Sequence, residues 1–149
     1  MSVPDELTPF FATGEFEVTS TGLPNAVEDL EIWYSLRALC SAVLVPWREQ
    51  VGSLKVTSGY RSPAVNAAVG GSSTSDHPTG RAADVVPVDV TQLEAWKVLL
   101  GMVRAGLPAD QIILYPHTGH IHVAHRQGDL NRRQALIASA DGSYSSVRV

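Results

Sequence analysis

Residues 75–84 read S-D-H-P-T-G-R-A-A-D, and residues 119–123 read G-H-I-H-V. A Gly/Ser/Thr-rich loop brings the chain to His77. Asp84 lies seven residues further on, at the head of a short apolar strand, Ala82 to Val86. An uncompensated charge there is costly. Either a bound metal ion or a local hydrogen bond resolves that cost. His120 and His122 are two apart on a second expected strand, so both face one side, while Ile121 and Val123 face the core. Catalytic zinc takes three protein ligands, drawn from His and Asp/Glu, and keeps a fourth position for water. His77, Asp84 and His122 make up such a set, and the spacing predicts one zinc per chain.

The segments around this pair of motifs supply helices and further strands. Residues 1–25 are expected to form an irregular arm broken by Pro4, Pro9, Gly14, Gly22 and Pro24, with Phe10, Phe11 and Phe16 clamping it to the body. From about Ala26, apolar residues recur at three- and four-residue steps through Trp47, which predicts a helix ending at Gly52. Pro46 should kink it or start a second helix. Leu54–Thr57 reads as a strand. Ser62 can cap a helix that begins at Pro63 and is closed by Gly70. Thr91 and Glu94 form a capping box for a helix over Gln92–Ala105, with Leu93, Trp96, Leu100 and Val103 in its apolar stripe. Gln111–Tyr115 and His120–Ala124 read as antiparallel strands, and Ala135–Ser139 as one more.

Composition narrows the function. The chain has 149 residues, is 44% hydrophobic and carries a net charge of -4, which fits one globular domain over 1–149. It has no basic stripe, which argues against general nucleic-acid binding, and no apolar span long enough for a bilayer. Its one cysteine, Cys40, has apolar neighbours and is expected to be a buried, reduced thiol. Arg61, in S-G-Y-R-S, either holds a substrate carboxylate by a bidentate pair or braces its loop, for example against Asp76. His117, His125, Asp89 and Asp110 read singly as solvated, surface or capping residues.

The segment from Thr57 to Val85, T-S-G-Y-R-S-P-A-V-N-A-A-V-G-G-S-S-T-S-D-H-P-T-G-R-A-A-D-V, resembles the core motif of the zinc D-alanyl-D-alanine carboxypeptidases. That family includes phage endolysins and shares its fold with the hedgehog signalling domain and lysostaphin-type peptidases. The similarity continues through L-T-P-F-F-A-T-G-E-F, L-R-A-L-C-S-A-V-L-V-P-W-R-E-Q-V-G, D-Q-I-I-L-Y and H-I-H-V-A, so it spans roughly Leu7 to Ala138. It implies an α+β fold, a small antiparallel sheet carrying the metal with helices on its other face. It implies His77, Asp84 and His122 as zinc ligands, Arg61 and Ser75 as substrate contacts, and His120 as the group stabilising the tetrahedral intermediate.

The resemblance also implies hydrolysis of the peptidoglycan stem peptide. A protein without the basic start and apolar run of a signal peptide would reach the wall after lysis or on a virus particle, where other virion proteins are its expected partners. Relatives place an acidic general base three residues before the third ligand or at the end of the preceding strand. Those positions hold Gly119 and Tyr115. His117, in the turn joining the two site strands, is the first candidate to replace it, and Tyr115 the second. The alternative expectation is a non-catalytic relative that binds cell wall or serves a virion.

Overall fold

The computed structural model describes residues 2–128 and 130–149. Six strands form one sheet: β3 (Leu54–Ser58), β4 (Ala82–Pro87), β5 (Gln111–Leu114), β6 (Ile121–Ala124), β7 (Gln134–Ala138) and β8 (Tyr144–Val147). Their order across the sheet is β3-β4-β6-β5-β7-β8, after β1 (Glu6–Thr8) and β2 (Phe11–Ala12), which pair in the arm. Every pairing in the large sheet is antiparallel except β5 with β7. The α+β class is as expected. β8 and the small arm sheet were not foreseen: β8 has a mostly exposed face, and the arm strands are two and three residues long.

Alternation along the strands gives the sheet two different faces. Ala83, Val85, Ile112, Leu114, Ile121 and Val123 are buried under the helices. Asp84, Ile113 and His122 lie opposite one another in adjacent strands and share the other face. The covering layer is α1 (Leu30–Leu39), α2 (Val45–Val51) and α4 (Gln92–Arg104), with α3 (Pro63–Ala68) beside the site loop. Trp47 is fully buried, and its indole N–H donates to the Ala95 carbonyl at 3.0 Å, tying α2 to α4.

Pro46 acts as its chemistry requires. It has no N–H and its ring crowds the carbonyl four residues back. The chain widens into a π-helical turn over Cys40–Leu44, with the Val45 N–H reaching Cys40 O, and then enters α2. α1 begins at Leu30 rather than Ala26, because the Asp29 carboxylate accepts from the Glu31 N–H and sets the cap there. In α4, Leu93 is 52% exposed, contrary to the expected stripe. At 100° per residue it lies roughly 120° from Leu99, the buried centre of the stripe, whereas Gln92 lies within roughly 20° of it. Phe11 and Phe16 anchor the arm as expected, but Phe10 is 48% exposed, with the Arg48 guanidinium over its ring at 4.5 Å. Cys40 is fully buried, and burial raises its pKa.

Candidate metal centre

Register brings the first two ligand candidates together. Asp84 on β4 pairs directly with His122 on β6, and His122 Nδ1 lies 2.9 Å from Asp84 Oδ1. His77 arrives from the loop, on a short 3₁₀ turn ended by Gly80 at φ 73°. A Cβ at Gly80 would meet the Ile32 carbonyl at 2.7 Å, so glycine serves both the turn and the close approach of α1. His77 Nε2 is 3.6 Å from Asp84 Oδ2. The three residues offer ligand atoms within 4.8 Å of one another.

The histidine tautomer supports a metal here. His77 Nδ1 is 2.6 Å from the Gly59 carbonyl, which can only accept, so Nδ1 carries the proton. In that tautomer Nε2 presents a lone pair. Among the described residues that buried atom has no hydrogen-bond partner. An unpartnered lone pair aimed at a buried carboxylate is the arrangement a metal ligand needs, with its second nitrogen held by a backbone carbonyl. Gly59 is fixed by packing, because a Cβ there would meet Phe16 at 2.7 Å. Burial alone would raise the Asp84 pKa, but the hydrogen bond and charge from His122 hold it well below the usual carboxylate range. It is therefore ionised, as a ligand must be.

These groups lie in a cleft of about 630 Å³. Arg61 is on its wall, with Nη2 3.5 Å from Asp84 Oδ2, Nε 3.1 Å from Ser58 Oγ and Nη1 3.3 Å from Asn66 Oδ1. It does not brace Asp76, which pairs with Arg126 at 3.2 Å. Ser75 lines the cleft while its hydroxyl accepts from the His77 N–H at 3.2 Å. His120 and Tyr115 also line it, their rings stacked with centroids 4.3 Å apart. Burial lowers the His120 pKa, against the pull of Asp84. Burial raises the Tyr115 pKa, reinforced by Tyr144, whose hydroxyl is 3.3 Å away. His117 is exposed on the turn and is not part of the cleft wall.

Four roles emerge only in three dimensions. Gln92 Nε2 donates to the carbonyls of Tyr115 and His120, at 2.8 and 2.9 Å, and so pins the mouth of the β5–β6 hairpin. Its place at the centre of the α4 inner face was the available signal. Asp110 is fully buried rather than on the surface, bonded by Arg132 through Nε at 3.2 Å and Nη2 at 2.9 Å. His125 is buried rather than solvated, with Nδ1 2.6 Å from the Pro108 carbonyl. Arg126 and Arg132 line the cleft from beyond the hairpin, where no motif marks them.

Two histidines and a carboxylate beside an arginine, in an open cleft, define a mononuclear metal site of the hydrolytic kind. The family model described as Peptidase M15 matches residues 11–124, and the chain belongs to that family. Its peptidases are zinc-dependent, which makes this a zinc metallopeptidase with His77, Asp84 and His122 as the group able to hold one ion. No curated protein matches the chain.

Proposed function

We propose that the protein hydrolyses a peptide bond in the peptidoglycan stem peptide, as a D-alanyl-D-alanine carboxypeptidase or an endolysin-type endopeptidase. The observation that carries this reading is Arg61, held by Ser58 and Asn66 at the edge of the ligand set. A guanidinium fixed there suits a substrate carboxylate next to the scissile bond, because its planar fork grips both oxygens. Ser75 adds a hydroxyl on the same wall.

Zinc bound by the three residues would lower the pKa of its water to about 7 and polarise the scissile carbonyl. The chain's own residues manage the protons. His120, kept neutral by burial, takes the proton of the attacking water and returns it to the leaving amine. Tyr115 keeps its hydroxyl proton and donates a hydrogen bond to the developing oxyanion. This gives His120 the base role expected of His117, since His120 lines the cleft and His117 does not. The protein would meet its substrate after lysis or on a phage particle.

Gly119 and Tyr115, at the positions where relatives carry the acidic base, favour a second reading, a wall-binding or virion protein without turnover. Incubation of the zinc-loaded protein with purified peptidoglycan, with products identified by mass spectrometry, separates the two. Release of D-alanine or of a shortened stem peptide supports the peptidase. Intact stem peptides with protein bound to the wall support the second reading.

A further inference from the structure

The Gln111 end of the cleft has a feature that hydrolysis at the metal does not use. Asp110, fully buried, fixes Arg132 through Nε and Nη2 and also accepts from its backbone N–H at 3.0 Å. The Arg126 Nε stands 3.5 Å from Asp110 Oδ2, and its Nη2 bonds Asp76 at 3.2 Å. Among the described residues, Nη1 of each arginine has no protein partner. Both side chains remain accessible, at 39% and 55%. These are guanidiniums held by carboxylates on the cleft wall, with donors left over. Immobilising them in advance removes much of the ordering cost of binding a ligand.

Their distance from the metal row follows from strand geometry. Gln111, Ile113 and Tyr115 line the cleft along β5 and the residue after it, and Ile113 stands opposite the ligand His122. Gln111 is two residues from Ile113, about 7 Å along a strand. An extended peptide covers that distance in about two residues. The cleft wall gathers three guanidiniums, Arg61, Arg126 and Arg132, against the carboxylates of Asp76 and Asp84, on a chain of net charge -4. Asp84 is committed to the metal set.

We propose that Arg126 and Arg132 form a second anion subsite, which binds a substrate carboxylate about two residues from the scissile bond. It rests on the peptidase reading and sharpens it, because the preferred stem peptide is then one whose γ-linked D-glutamate keeps a free α-carboxylate. Amidation of that group removes the charge the arginines recognise.

The test compares the pentapeptide L-Ala-γ-D-Glu-L-Lys-D-Ala-D-Ala with its analogue carrying an α-carboxamide on the glutamate. NMR titration of the zinc-loaded protein reads affinity, and the same spectra show whether either peptide is consumed. The acid should bind at least roughly tenfold more tightly than the amide, the effect of about 1.4 kcal/mol from a charged hydrogen bond. The Nε–H signals of Arg126 and Arg132 should move with the acid only. In Arg126→Gln, whose partner Asp76 is less buried than Asp110, the preference should fall to about threefold or less. Equal affinity for the two peptides, or no binding of either up to about 10 mM, overturns the subsite and leaves the peptidase reading intact. Acid-selective binding with no hydrolysis of any stem peptide would keep the subsite and sink the peptidase reading.

Discussion

Asp84 and Asp110 are both buried aspartates on the central sheet or at its edge, and both are held ionised by their neighbours. Their partners differ in kind. Asp110 is met by Arg132 and Arg126, permanent cations that can only donate. Asp84 is met by two imidazoles as well as Arg61, and one imidazole presents a buried, unpartnered lone pair. A carboxylate saturated by guanidiniums is a structural joint. A carboxylate facing a buried nitrogen lone pair is a place for a cation. The same buried charge thus serves stability in one case and chemistry in the other.

The sharpest way to break this comparison is to neutralise each carboxylate in turn. Asp84→Asn should abolish zinc retention and cost well over 10²-fold in activity, beyond what loss of a supporting hydrogen bond costs. Asp110→Asn should leave the zinc content unchanged. Next in size is the proton-handling group. His120→Ala should lower kcat/KM by about 10²-fold or more with zinc retained, while His117→Ala should change it little. A larger loss in His117→Ala would restore the base role to the turn.

Asp110→Asn should instead cost stability, about 1–3 kcal/mol at pH 7 by chemical denaturation. Burial raises the Asp110 pKa and the Arg132 bonds lower it, with the net direction downward. Its folded pKa is therefore below the unfolded value near 3.9. The stabilisation is complete above that value and is lost as pH falls through the folded pKa. The gap between wild type and variant should close below about pH 4. An undiminished gap at pH 2.5 would contradict the ion-pair account. The smallest effect concerns Gln92. Gln92→Leu releases the two hairpin carbonyls, and kcat should fall roughly three- to tenfold through misplacement of His120, with KM and zinc content held.

The ligand set and most of the architecture were legible because they depend on local pattern. His-x-His on a strand fixes a shared face, and Ser62, Pro63 and the Thr91–Glu94 box fix helix ends within a few residues. Asp110, His125, Gln92 and the Arg126–Arg132 pair were not legible in their roles. Each acts through a partner at least 16 residues away, or through backbone carbonyls that carry no sequence signature. Leu93 shows the complementary failure: hydrophobicity alone placed it in the stripe, and helical phase put it outside. Tyr144 entered the site on a strand too exposed to show clear alternation.

The central claim is that His77, Asp84 and His122 together hold one zinc ion. Elemental analysis after zinc loading and desalting tests it on wild type, Asp84→Asn and Asp110→Asn in parallel. The account predicts about one equivalent in wild type and in Asp110→Asn, and less than about a tenth in Asp84→Asn. Less than about a tenth of an equivalent in wild type, or full occupancy in Asp84→Asn, would contradict it.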